Sequence, residues 1–360
     1  MEYNKKLVLV DGTVFHGNGF GHDQEVVAEV IFNTGMTGYE DVITDGSYLE
    51  QAVVMTYPVI GNYGITQEVL DAPSNGLMAL IVKEHCVNPS NWRSVATIDE
   101  ALATKGIVGL TDVDTRALAI KIRHEGTMKG IIVDSSVTDA DAIAKLNSVA
   151  PVTEHAPKMV LQDSYTVETN DEWETVALID FGANQDALVN ELTKRDCEVV
   201  VLPYTTSIED IEAVNPCGVI LGNGPGNPAD LTAVLPVIQG LQEKYPLFAV
   251  NLGHQLFALA NGATTSKMKF GHHGKNVPVK DITTGRTLIT VQNHLYQVDK
   301  ESLNETNLEL THYALNDGTV QGVKHKKYPA FSVQFLAEAH TGPADSQYLF
   351  DQFVASLGGK

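Results

Sequence analysis

The sequence predicts an α/β protein of two domains, an N-terminal α+β domain over residues 1–150 and an α/β domain with a mostly parallel sheet over 174–360. Three observations carry this expectation. Short apolar runs broken by Gly, Pro, Asn and Asp fill the chain up to Val82, and helical signals begin only at Thr97. Beyond residue 174, short apolar runs alternate with helical stretches, as parallel strands covered by helices on both faces do. With 360 residues, 43% of them hydrophobic, the chain has material for about two cores.

Leu7 to Val10 and Thr13 to Phe15 flank Asp11-Gly12, a dipeptide that supplies the positive φ of a tight hairpin turn. Further strand-like runs are Glu25 to Phe32, Gln51 to Tyr57 and Leu77 to Val82. Thr97-Ile98-Asp99-Glu100 has capping-box spacing ahead of Ala101-Leu102-Ala103, and Gly106 sits where a left-handed C-terminal residue is wanted. A second helix is expected from Thr115 to His124, stopped by Gly126. Arg116 and Arg123 share one face of it, either solvated or in contact with a larger partner. Residues 151–173 lose periodicity and gain Pro and charge, which marks a linker. In the second domain the apolar runs are Val176 to Phe181, Glu198 to Leu202, Gly218 to Leu221 and Leu247 to Val250.

Charge narrows the function. The 24 Lys+Arg against 45 Asp+Glu give a net charge of -21, which repels phosphate backbones and anionic lipid and excludes nucleic acid and membranes as partners. No apolar run is long enough for a membrane helix, and Met1 to Val10 is too polar and short for a signal peptide, so a cytoplasmic protein is expected. Cys86, Cys197 and Cys217 are odd in number and form no C-x-x-C pair, which argues against a disulfide or zinc framework; they are expected as buried thiols. His272 and His273 are adjacent, so their side chains diverge in a strand. No ligand spacing accompanies them, and a structural role rather than a metal is expected.

In an open α/β sheet ligands bind outside the carboxyl ends of the strands. Two strand-to-helix junctions stand out there. Gly222-Asn223-Gly224-Pro225-Gly226-Asn227-Pro228 is a glycine-dense loop whose N–H groups are expected to face an anion or developing oxyanion, though it fits neither a Walker loop nor a full G-x-G-x-x-G. In Pro246 to Leu259, the small residues Ala249 and Gly253 flank position 251 at minus two and plus two, as in a nucleophile elbow. The apical residue is Asn251. Its amide nitrogen has a delocalised lone pair and is no nucleophile, although Asn tolerates the left-handed backbone that such a turn demands.

Across these segments the chain resembles the small, glutamine-amidotransferase subunit of carbamoyl-phosphate synthetase over essentially its whole length. The N-terminal half carries the resemblance in Leu9-Val10-Asp11-Gly12, Phe32 to Tyr39, Thr44 to Tyr48, Thr56-Tyr57-Pro58, Gly61-Asn62-Tyr63-Gly64 and Asp112 to Arg116. Other class I amidotransferases lack this domain. The C-terminal half carries it in Asp180 to Ala183, Asn223 to Pro228, Leu252 to Gln255, Lys267 to Gly274 and Gln292-Asn293-His294. The resemblance implies a Cys nucleophile at the elbow, a His base and a Glu that orients it. Glu338 is present, but the His position is Leu336 and the Cys position is Asn251. It also implies a glutamine pocket at Ser47, Gly224, Gly226, Leu252, Gln255 and Asn293, with Leu295 where the family has Gly and Tyr296 at the aromatic position.

The resemblance implies a subunit that delivers ammonia through a tunnel to a large subunit, which makes carbamoyl phosphate from bicarbonate and two ATP for arginine and pyrimidine synthesis. No cofactor is expected in this chain, which has no ATP-phosphate loop; ATP and Mg belong to the large subunit. With nucleophile and base both replaced, glutamine hydrolysis is expected to be lost and the complex to use free ammonia. Two alternatives stand beside this reading. One is a binding module that senses glutamine or another amino acid without turnover, and the other is an active amidotransferase with a rearranged site.

Overall fold

The computed structural model describes residues 3–74, 76–150, 156–160, 163–169, 174–183, 185–338 and 342–358. It divides into two compact units, Met1–Val152 and Thr153–Lys360.

In the first unit seven strands among the described residues close a barrel, in the order Lys5–Leu9, Val14–Gly21, Val108–Thr111, Ala79–Ile81, Gln51–Met55, Val26–Asn33 and Met128–Asp134. Three consecutive pairings are parallel, from Val26–Asn33 to Val108–Thr111, and the others are antiparallel. The Asp11-Gly12 turn joins the first two strands, with Gly12 at φ 88. The expected capping box is present: Thr97 accepts from the Glu100 N–H while the Glu100 carboxylate accepts from the Thr97 N–H, and Gly106 ends the helix at φ 72. The second helix runs Thr115–Glu125, capped by the Asp114 side chain, with Arg116 and Arg123 both exposed.

In the second unit ten strands form one sheet. Five of them, Glu198–Pro203, Thr175–Asp180, Gly218–Leu221, Leu247–Val250 and Ala330–Val333, are neighbours in that order and parallel. Their side chains alternate between two cores. Ala177 and Ile179 join one with Ile238, Leu241, Leu256 and Phe257, and Val176 and Leu178 join the other with Leu188, Leu192, Phe350 and Phe353. Helices Leu235–Lys244 and Leu252–Ala260 thus cover one face, and Gln185–Thr193 and Tyr348–Ser356 the other. Each fully buried Leu, Ile or Phe there is worth about 1.5–3 kcal/mol against exposure.

The sheet continues beyond the parallel strands in a way the apolar runs do not announce. Val320–His325, Leu308–Ala314, Thr265–Asp281 and Thr287–Val298 extend it antiparallel, and alternating polar residues on these strands give no continuous apolar signal. Much of the expected linker lies outside the described residues. Its described part includes the strand Tyr165–Val167, which pairs antiparallel with Glu198–Pro203. Of the three cysteines only Cys197 is buried; Cys86 and Cys217 are half-buried, because each sits at the rim of its apolar run. Among the described residues no helix is long and apolar enough to cross a membrane.

Candidate active site

The elbow forms where the strand Leu247–Val250 meets the helix Leu252–Ala260. Asn251 sits between them at φ 52, ψ -107, a backbone region that non-glycine residues rarely adopt and that marks functional turns. It is held from both sides. The Asn251 N–H donates to the Val333 carbonyl at 2.9 Å, and the Gly253 N–H donates to the Gly222 carbonyl at 3.1 Å. Gly253 is required by that approach, since a Cβ there would lie 2.5 Å from the Leu221 carbonyl oxygen.

The Asn251 side chain is buried and makes one hydrogen bond at each end of its carboxamide. Its Nδ2 donates to the Asn293 carbonyl at 3.0 Å, and its Oδ1 accepts from Gln334 Nε2 at 2.9 Å. Gln255 extends the chain, donating through Nε2 to the Tyr296 carbonyl at 2.8 Å and to Gln334 Oε1 at 3.1 Å. The structure therefore brings Asn251, Gln255, Asn293 and Tyr296 together. It adds Gln334, to which the sequence reading assigns no role. The signal for Gln334 is period two: it lies two residues beyond Ser332 on the same strand path, and Ser332 faces the elbow helix through His254.

In the glycine loop the Gly224 N–H donates to the Asn223 side chain at 2.7 Å, while Asn223 Nδ2 is buried without a partner among the described residues. Gly224 stays close to the elbow, a Cβ built on it falling 2.9 Å from Leu252 Cδ2. Gly226 takes φ 98. Leu295 is buried, with Cδ2 3.0 Å from where a Gly271 Cβ would stand.

At the base position the Leu336 N–H donates to the Val291 carbonyl at 2.9 Å, so its backbone is fixed beside the pocket strand while its side chain carries no proton acceptor. Glu338 is buried. Ser47 belongs to the N-terminal unit, in the short turn Gly46–Tyr48, where its N–H donates to Asp45 Oδ1 at 2.9 Å. The histidine pair serves the pocket strand. His272 Nδ1 meets Gln292 Oε1 at 2.9 Å, its Nε2 meets Asp317 at 2.8 Å, and His273 bonds the Asn293 side chain.

None of the cysteines is at the elbow. Cys197 and Cys217 precede the strands Glu198–Pro203 and Gly218–Leu221, at the amino ends of the parallel strands, whereas the elbow is at a carboxyl end. Burial also pushes the Cys197 thiol up to about 11, against thiolate formation.

Comparison with known proteins agrees with the two-part organisation. Residues 7–132 match the family model of the carbamoyl-phosphate synthase small chain, CPSase domain, and residues 177–356 match glutamine amidotransferase class-I. The chain is 48% identical over 353 residues to the carbamoyl phosphate synthase small chain of Bacillus caldolyticus, covering 98% of this chain and 96% of that one. It is 45% identical over 354 residues to the small chain of Listeria monocytogenes, covering 98% and 97%. To the pyrimidine-specific small chain of Halalkalibacterium halodurans it is 47% identical over 350 residues, covering 97% and 96%. On this identity across nearly the full length of both partners, the chain belongs to the carbamoyl-phosphate synthase small chain family, with a class I glutamine amidotransferase domain as its C-terminal part.

Proposed function

We propose that this small subunit has lost glutamine hydrolysis and serves a carbamoyl-phosphate synthase that takes free ammonia. The observation that carries the reading is the side chain at the elbow apex, a buried carboxamide hydrogen-bonded at both ends. Hydrolysis of glutamine needs a nucleophile to add to the carboxamide carbon and a base to take its proton. Asn251 has no available lone pair on nitrogen, and Leu336 has no lone pair at all. In triad enzymes, loss of nucleophile or base costs on the order of a millionfold in rate, and losing both costs about as much as losing one. The two cysteines of this unit start their strands at the far end of the sheet, so a rearranged thiol site has no support.

The partner in this reading is the large chain that the relatives' name implies. The large chain holds ATP and Mg, while this chain stabilises it or shapes its response. The test is carbamoyl-phosphate formation by this chain co-expressed with its large subunit, glutamine against ammonium chloride, with glutamate release followed in parallel. Product from ammonium with no glutamate from glutamine is the expected result. Comparable rates from glutamine overturn the reading.

A further inference from the structure

Glutamine ends in a primary carboxamide, and so does the side chain at the apex of this elbow. A nucleophile elbow brings the side-chain atom attached to Cβ against the carbonyl carbon of its substrate. In Asn251 that atom is Cγ, and Oδ1 and Nδ2 reach one bond further, into the space that a substrate carboxamide occupies. Each end is held there by one bond, Nδ2 on the Asn293 carbonyl and Oδ1 by Gln334 Nε2. Gln334 is itself fixed by Gln255, which also holds the Tyr296 carbonyl. Asn251, Gln255, Asn293 and Gln334 are all buried, so the chain cannot exchange these bonds for water without opening the site. The backbone stays at φ 52, so the apical side chain remains aimed as an elbow aims it.

Resting on the reading of this site as a former glutaminase, we infer that Asn251 is an internal pseudo-ligand. Its carboxamide fills the subsite of a glutamine carboxamide and takes up the donor and acceptor able to hold one, so the pocket excludes glutamine. Leu295 narrows the same pocket but is secondary, because removing it leaves the carboxamide in place.

The test is a calorimetric titration with glutamine of the full chain in complex with its large subunit. It compares wild type, Leu295→Gly, Asn251→Ala and the double variant, with folding checked by thermal melts. Wild type and Leu295→Gly show no saturable binding. The double variant binds glutamine saturably, and its melting temperature rises with glutamine. Saturable binding by wild type or by Leu295→Gly alone overturns the inference, whichever variants fold, and so does a folded double variant that binds none. Should the Ala variants not fold, Asn251→Ser keeps an acceptor for Gln334 and is judged by the same outcomes. Glutamate release separates the two proposals: wild type that binds glutamine without releasing glutamate sinks only the pseudo-ligand, and release sinks the loss of hydrolysis as well.

Discussion

His254 Nδ1 lies 2.8 Å from Ser332 Oγ beneath the elbow, and the ring is wholly buried with no partner for Nε2 among the described residues. Desolvation, with His312 adding like-charge repulsion, lowers its pKa from 6.5 to about 3. His312 is also lowered, to about 4, by burial that outweighs the pull of Asp281. Between pH 6.5 and about 4 the unfolded chain therefore binds protons at these rings that the native chain does not. Stability is fully present above pH 6.5 and falls as pH drops through that window, at about 1.4 kcal/mol per pH unit for each proton. Asp317, lowered to about 2 chiefly by its bond to His272 against burial, loses its contribution only below pH 3.8. Urea midpoints measured from pH 7 to 4.5 should show the early loss, and His254→Gln should reduce the slope by about one proton. An unchanged slope counts against a neutral buried His254.

Two glycines separate backbone conformation from packing. Gly106 ends its helix at φ 72 with nothing within 4 Å of an added Cβ, so Gly106→Ala should cost only the left-handed conformation, about 1–2 kcal/mol. Gly253 lies inside a helix, where Ala ordinarily stabilises by about 1 kcal/mol. Here its Cβ would stand 2.5 Å from the Leu221 carbonyl and 2.8 Å from that of Gly222. Gly253→Ala should therefore destabilise, by more than Gly106→Ala, and chemical denaturation of the two variants side by side checks the order.

What the sequence makes legible depends on how local the cause is. The Thr97–Glu100 box, the Gly12 turn and the Gly106 stop are each decided within a few residues, and each stands where expected. The elbow is legible for the same reason, since Ala249 and Gly253 frame it from two positions away. The antiparallel extension is not, because its strands alternate polar and apolar residues and are recruited by long-range pairing, as Val323 opposite Ser332 shows. The Asn251–Gln334 bond spans a sequence separation of 83; period two along the strand path places Gln334 on the face of Ser332, but the pairing with Asn251 is decided by the fold.

The capping box offers a cycle that isolates reciprocity. Thr97 Oγ1 accepts from the Glu100 N–H at 3.2 Å, and Glu100 Oε2 accepts from the Thr97 N–H at 2.8 Å. Thr97→Ala should cost about 1 kcal/mol. Because the Glu100 carboxylate also accepts from the Thr97 hydroxyl at 2.8 Å, Thr97→Ala with Glu100→Ala should cost less than the sum of the single losses. Strict additivity in denaturation measurements would show that the two bonds act independently.

Reversion of the active site shows which replacements matter. Both positions have a defined backbone, position 251 at φ 52 and position 336 tied to Val291. On the proposed reading, a thiol at 251 and an imidazole at 336 restore the nucleophile and base that the family resemblance implies. Asn251→Cys alone gains a nucleophile without a base, and Leu336→His alone gains a base with nothing to deprotonate. Each should release glutamate no faster than wild type, since lacking either group forfeits about a millionfold. Asn251→Cys also removes the proposed pseudo-ligand carboxamide, but Leu295 still lies close to Gly271. The smallest set expected to hydrolyse glutamine is therefore Asn251→Cys, Leu336→His and Leu295→Gly together, assayed as glutamate release by the complex with the large subunit. Hydrolysis by a single variant would mean that a second group already works in the wild-type chain. A folded triple variant that stays silent would place the remaining defect at the glycine loop, where the Gly224 N–H is already bonded to the Asn223 side chain.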